Sequence, residues 1–137
     1  MAMIKFKYSR VDYQAPLFRG YFSEVEDDIA DLFPDFDMEG INMSDVHLLV
    51  IERELKGILI TQGKGEELHI ELDYVVPELR GYLIGLNHFK TKFKEYRKEG
   101  FRVVFTGTGN NEHRKYLLSL GFRESKMHTD LYEKMLE

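Results

Sequence analysis

Residues 68–86 (Leu-His-Ile-Glu-Leu-Asp-Tyr-Val-Val-Pro-Glu-Leu-Arg-Gly-Tyr-Leu-Ile-Gly-Leu) change periodicity within one short stretch. Leu68, Ile70, Leu72, Tyr74 and Val76 alternate with His69, Glu71, Asp73 and Val75, which is the period of two of a strand with one apolar face. Pro77 ends that ladder. Glu78-Leu79-Arg80-Gly81 follows as a polar turn, and apolar residues at helical spacing begin at Leu83. A strand that feeds a helix through a Gly-containing turn leaves unpaired N–H groups at the helix N-terminus. Such groups favour an anion such as a phosphate, and Arg80 stands beside them.

The chain of 137 residues is long enough to bury a core without metal or disulfide support, and it contains neither a linker nor an internal repeat, so we expect one domain. With no Cys, a disulfide framework and a thiolate nucleophile are both excluded. Together with the lack of any long apolar run or signal-like start, this makes a soluble cytoplasmic protein the expectation. A net charge of −5 argues against nucleic acid as the main partner, but the distribution of charge says more than its sum. Glu24, Glu26, Asp27, Asp28, Asp31, Asp35, Asp37 and Glu39 are crowded into residues 24–39 with no base among them. Residues 80–102 are rich in Lys and Arg. One pole suits a cation and the other an anion; solvated helix faces are the plainer reading of both.

The remaining pattern is readable in order. Met3 to Val11 alternates as a strand, with Ile4, Phe6 and Tyr8 on one side. Ser23 and Glu26 fit a capping box, and Val25, Ile29, Leu32 and Phe33 follow at helical spacing, predicting a helix over about residues 24–33, closed by Pro34. Residues 34–45 form an acidic loop suited to a lid or binding edge. Residues 46–54 and 56–62 make a hairpin turning at Leu55, and a second turn at residues 63–67 leads into the strand at 68–76. Leu86, Phe89, Phe93 and Tyr96 mark a helix that Gly100 stops. Residues 101–106 are the next strand, reached through that helix and therefore parallel to residues 68–76. Asn110 or Asn111 caps a helix carrying Tyr116, Leu117 and Leu120, and residues 129–135 form a final strand. The order is α+β, a mixed and mostly antiparallel sheet with one central parallel pair flanked by helices.

Three stretches resemble the GNAT acyl-CoA-dependent N-acyltransferases. Val75-Val76-Pro77-Glu78-Leu79-Arg80-Gly81-Tyr82-Leu83-Ile84-Gly85 is similar to that family's strand, Pro-Glu and Arg/Gln-x-x-Gly-x-Gly/Ala pyrophosphate loop. Asn110 through Phe122 resembles its Asn-initiated helix ending in Leu-Gly-Phe, and Leu131-Tyr132-Glu133-Lys134 resembles its closing strand. The likeness covers residues 46–137 well and residues 1–45 loosely. It implies a splayed opening between the parallel strands that takes the pantetheine of acetyl-CoA, or of another acyl-CoA, against backbone near Val75 and Val76. It also implies pyrophosphate on Arg80, Gly81, Tyr82, Leu83, Ile84 and Gly85, with Asn110 and His113 beside the cofactor. Two departures stand out. Leu83 replaces the first Gly of the loop, and Leu117 stands where the family often has a thiolate-protonating Tyr, with Tyr116 one step earlier and about 100° round the helix.

Acetyl transfer to an amine needs a held thioester and a route for the amine's proton. His69, Glu71 and Asp73, spaced two apart on the polar side of the strand, are candidates to accept that proton, and Tyr116 is the candidate acid. The competing reading pairs the two acids with Arg53 or Lys56 across the hairpin. His47, His69, His88, His113 and His128 show no paired metal-ligand spacing, so no metal is expected. Two functions follow from the resemblance. One is an N-acetyltransferase acting on a small amine, a Lys or an N-terminal amine, cationic in character. The alternative is a catalytically silent GNAT-fold domain serving as an acyl-CoA sensor or protein-interaction module. Neither involves a membrane or nucleic acid, and the family tendency is to homodimers.

Overall fold

The computed structural model describes residues 7–79 and 83–137, with the backbone alone for residues 83–88. Its elements are β1 (Lys7–Val11), α1 (Pro16–Leu32), β2 (Asp45–Ile51), β3 (Glu54–Lys64), β4 (Glu67–Val75), α2 (Leu83–Lys98), β5 (Val103–Gly107), α3 (Asn111–Ser119), β6 (Arg123–Glu124) and β7 (Leu131–Met135). The strands form one sheet in the order β1-β2-β3-β4-β5-β7-β6, in which only β4 and β5 run parallel. Helix α2 carries the chain from the end of β4 back to the start of β5, which is what a parallel neighbour requires. The α+β arrangement with its central parallel pair is therefore present. Ile4 and Phe6 of the expected first strand lie outside the described residues.

Helix α1 begins a full two turns earlier than the capping box suggests. Pro16 occupies its first turn, where a missing N–H costs nothing and the fixed φ is already helical. Phe18 and Tyr21 are buried together with Ile29 and Leu32, and with the half-buried Val25 between them spacings of three and four run from Phe18 to Leu32 and anchor the N-terminal half. Ser23 is an exposed residue in the middle of the helix rather than its cap, and burial of two aromatics outweighs the weak helix propensity of a glycine. The acidic loop is also more ordered than expected: Met38–Met43 form a 3-10 turn, with the Asp37 carboxylate accepting the Glu39 N–H at 2.9 Å. The first hairpin turns at Glu52 and Arg53, both with positive φ (51° and 70°), and Leu55 already belongs to β3. A tight turn of that hand matches the twist of the strands it joins.

Strand β4 does not keep one apolar face. Ile60 of β3 lies opposite Leu72, but its neighbour Thr61 lies opposite Ile70, so Glu71 is an extra residue with no partner in the β3 ladder. Such a bulge reverses the alternation of side chains. Before it, Leu68 and Ile70 join Leu59, Phe89, Phe93, Val104 and Leu117 under α2 and α3. After it, Leu72 and Tyr74 join Phe18, Ile29, Ile58 and Ile60 under α1. One strand thus feeds two cores, one on each face of the sheet.

Because Phe18 is completely buried, Phe18→Ala is expected to cost about 3–5 kcal/mol in denaturant unfolding. A helix starting near Glu24 would leave Phe18 dispensable, and a loss under about 0.5 kcal/mol, the level of an ordinary surface substitution, would favour that arrangement.

Candidate functional site

Strands β4 and β5 are paired only from Glu67 opposite Val103 to Ile70 opposite Thr106. Strand β4 continues to Val75, held by β3 on its other side, while β5 stops at Gly107. Their separation opens a cleft of about 330 Å³, with Glu71, Leu72, Asp73, Thr106 and Gly107 on one wall and Phe33, Asp35, Phe36 and Asp37, from the segment after α1, on the other. That volume suits a small ligand or the arm of a larger one.

The bulge decides what faces this cleft. His69, Glu71 and Asp73 were expected on one polar face, but the extra residue at Glu71 puts His69 and Asp73 on opposite faces. Glu71 accepts a hydrogen bond of 3.0 Å from the Ser44 hydroxyl, at the end of the 3-10 turn. Asp73 lies opposite Leu59, on the α2 and α3 side. Its carboxyl is enclosed, Oδ1 has no hydrogen-bond partner among the described residues, and burial pushes its pKa up to about 7. Tyr8, Tyr96 and Tyr116 surround it closely enough that burial, and then the Asp73 charge, hold all three phenols above their ordinary value. Lys56 pairs with Glu54 and Glu78 instead of these acids.

On α3, Leu117 is a core residue, whereas Tyr116 is half-buried, edge-on to Phe89 with ring centroids 6.3 Å apart, and so on the side of Asp73. Asn110 is the helix cap, its side chain accepting the His113 N–H at 3.1 Å. His113 in turn accepts the Gly109 N–H at Nδ1 and meets the Phe33 ring edge-on at 4.8 Å. Burial lowers its pKa to about 4, and its Nε2 is enclosed without a partner among the described residues. The Asn110 N–H donates to the Leu32 carbonyl at 3.0 Å, and a Cβ on Gly109 would collide with that same carbonyl. The end of α1 is thereby stitched to the start of α3.

Val75 is the last residue of β4, and the Val76 N–H donates to the Lys56 carbonyl at 2.9 Å. Arg80, Gly81 and Tyr82, together with the side chains of Leu83 and Ile84, lie outside the described residues, so the expected pyrophosphate loop is described only as the backbone start of α2, from Leu83 through Gly85. Lys92, from the basic segment, is engaged by Glu95 at 3.3 Å.

Spacing in sequence concealed one further group. His69 and His128 come together across β5: both Nε2 atoms lie within 3.3 Å of Glu67 Oε1, and both rings rest on Phe105. The hydrogen bond from His69 is the main influence holding the Glu67 carboxyl below its ordinary range, against the opposing effect of burial.

A mixed sheet that opens at a single parallel pair, with helices on both faces, defines a class of fold shared with solved acetyltransferases. GCN5 from Tetrahymena superposes with a TM-score of 0.73 at 10% identity, over 98% of this chain and 97% of that one. A GNAT family acetyltransferase from Elizabethkingia anophelis with acetyl-CoA bound matches with a TM-score of 0.64 at 16% identity, over 88% and 78%. An acetyltransferase of Bacillus subtilis in complex with CoA matches with a TM-score of 0.65 at 17% identity, over 97% and 99%. The fold of this chain is that of the GNAT acetyltransferases. No family model matches the sequence, and no curated protein matches it either. No helix among the described residues is long and apolar enough to cross a membrane.

The two buried titrating groups give stability opposite slopes. Between about pH 4 and 7 the folded chain keeps a proton on Asp73 that the unfolded chain, with its carboxyl near 3.8, has released, so stability falls as pH rises through that window. His113 is ordinarily at 6.5 and is lowered to about 4, so the unfolded chain takes up a proton the folded chain refuses, and stability falls as pH drops from 6.5 to 4. Asp73→Asn removes the first effect only. Urea midpoints from pH 4 to 8 are expected to show the variant gaining on the wild type up to about pH 7 and holding a constant lead above it. A difference independent of pH would mean that the carboxyl is solvated in the folded chain.

Proposed function

We propose that this protein is a GNAT-type N-acetyltransferase that passes an acetyl group from acetyl-CoA to a cationic amine. The observation that carries the reading is the edge of β4 beyond Ile70, which faces the cleft where β5 has ended and has a carboxyl on each side of the strand. An extended arm bearing a thioester is the shape such a slot accepts, because it can lie beside β4 as a strand would. Solved neighbours of the same fold, one with acetyl-CoA bound and one in complex with CoA, support the cosubstrate.

The two carboxyls then divide the proton work. Environments that push paired acids apart are what assign acid and base in a site. Glu71, held by Ser44 on the cleft wall that faces Asp35 and Asp37, takes the proton from the attacking amine, directly or through a water. The new C–N bond forms as the C–S bond breaks, and the departing thiolate is protonated from the other face, where Asp73 holds a proton near neutrality beside Tyr116. Asp35 and Asp37 attract the cationic acceptor, giving the acidic segment its purpose. His69, committed to Glu67, has no part in this scheme. The lack of Cys agrees with work in a reducing cytoplasm.

Calorimetry with acetyl-CoA, and CoA release across a panel of small amines, Lys peptides and N-terminal amines, test the proposal. Glu71→Gln is expected to lower kcat by about 10²–10⁴-fold while leaving acetyl-CoA affinity unchanged. Failure to bind acetyl-CoA at millimolar concentration would sink the reading. Binding without turnover on any amine would leave a sensor or interaction module in its place.

A further inference from the structure

The group formed by Glu67, His69 and His128 is used by neither core nor by the proposed chemistry. Its ligand atoms, one from each residue, all lie within 4.8 Å of one another. We propose that these three side chains form a binding site for a divalent first-row transition ion of the zinc type.

The geometry supports this in three ways. First, two edges of the coordination figure are already near their final length. A tetrahedral ion with ligands at about 2.0–2.1 Å needs ligand atoms about 3.3 Å apart. His69 Nε2 to Glu67 Oε1 is 3.0 Å and His128 Nε2 to the same oxygen is 3.3 Å. The third edge is at most 4.8 Å and shortens on rotation of the more exposed imidazole, that of His128. Second, the donors are fixed from beneath. Phe105 is fully buried, with His69 stacked on it at 5.1 Å and His128 edge-on at 4.6 Å, so the rings present Nε2 atoms to a common point. Third, His128 comes from a built loop. The Ser125 hydroxyl accepts the N–H groups of both Met127 and His128 at 3.1 Å, and the Ser125 N–H reaches the Leu131 carbonyl at 2.9 Å. A loop made this way brings a preset ligand back across the sheet, which lowers the ordering cost of binding.

Two imidazoles and one carboxylate suit zinc and its neighbours better than magnesium or calcium, which prefer oxygen alone. Three protein ligands leave one position for water, and side-chain exposures of 16%, 31% and 38% for His69, Glu67 and His128 leave a way in from solvent. Without an ion, both Nε2–H groups donate to one carboxylate oxygen; to take an ion each neutral imidazole moves its proton to Nδ1, which frees the Nε2 lone pair for the metal. His69 and Phe105 also line the cleft, so the site borders it.

The test uses the full chain with any polyhistidine tag removed and the metal alone as probe. Calorimetric titration with Zn²⁺ is expected to give one equivalent bound, and Co²⁺ is expected to produce the visible absorption of a low-coordinate nitrogen and oxygen site. His128→Ala, in a surface loop, and Glu67→Gln are each expected to weaken Zn²⁺ binding by about 100-fold or more, since loss of even an outer partner of a ligand costs 10–100-fold. Circular dichroism of each apo variant checks that the fold survives. An unmodified chain that binds no Zn²⁺ at 100 μM would overturn the proposal, as would binding that persists undiminished in His128→Ala.

Discussion

One residue without a partner in the β3 ladder, Glu71, governs the layout of this molecule. A regular β4 would present Leu68 through Tyr74 to a single layer of helices and leave its polar residues together on the other side. The bulge instead commits the first half of the strand to the core under α2 and α3, and the second half to the core under α1. Neither layer can be removed without stripping part of the central strand. The same step turns Asp73 inward among tyrosines while Glu71 remains beside Ser44. Two carboxyls two positions apart in sequence therefore live in different dielectric environments, the condition under which like groups acquire unlike chemistry.

The second constraint is where β5 stops. Pairing through Ile70 and Thr106 secures the parallel strands at one end, and the end of β5 at Gly107 leaves the other end of β4 beside a cleft. An open sheet edge is normally a liability. Here the segment after α1 stands across from it with Phe33, Asp35, Phe36 and Asp37, so the exposed backbone faces a bounded space. Holding Asp73 protonated above pH 4 and His113 neutral below pH 6.5 uses some of the stability that the two aromatic-rich cores supply.

Much of the architecture is legible in the chain, for reasons that can be named. Element order, the crossover through α2 and the Asn110 cap follow from strong periodicity and from residues whose local chemistry has few alternatives. Helix α1 is less legible at its start, because a capping pattern at Ser23 competes with burial of Phe18 and Tyr21, and tertiary packing outweighs a cap. The bulge leaves no mark in the pattern, since an uninterrupted alternation reads as one regular strand. A regular strand would put His69, Glu71 and Asp73 on one face, and the bulge alone separates them. The grouping of Glu67 and His69 with His128 is not written in the chain, because only the strand order β4-β5-β7 makes them neighbours. A distance of 59 residues between two histidines carries no spacing signal.

The stitch between Leu32 and Asn110 also bears on motion. The last carbonyl of α1 is held by the residue that caps α3, and the absence of a Cβ at Gly109 lets the two backbones touch. The acidic segment that forms one wall of the cleft hangs from that junction. A ligand that pushes this wall outward therefore pulls on the Leu32–Asn110 hydrogen bond and, through Phe33, on the ring of His113. The wall and the first turn of α3 are thus joined at two points, one through backbone and one through the rings of Phe33 and His113.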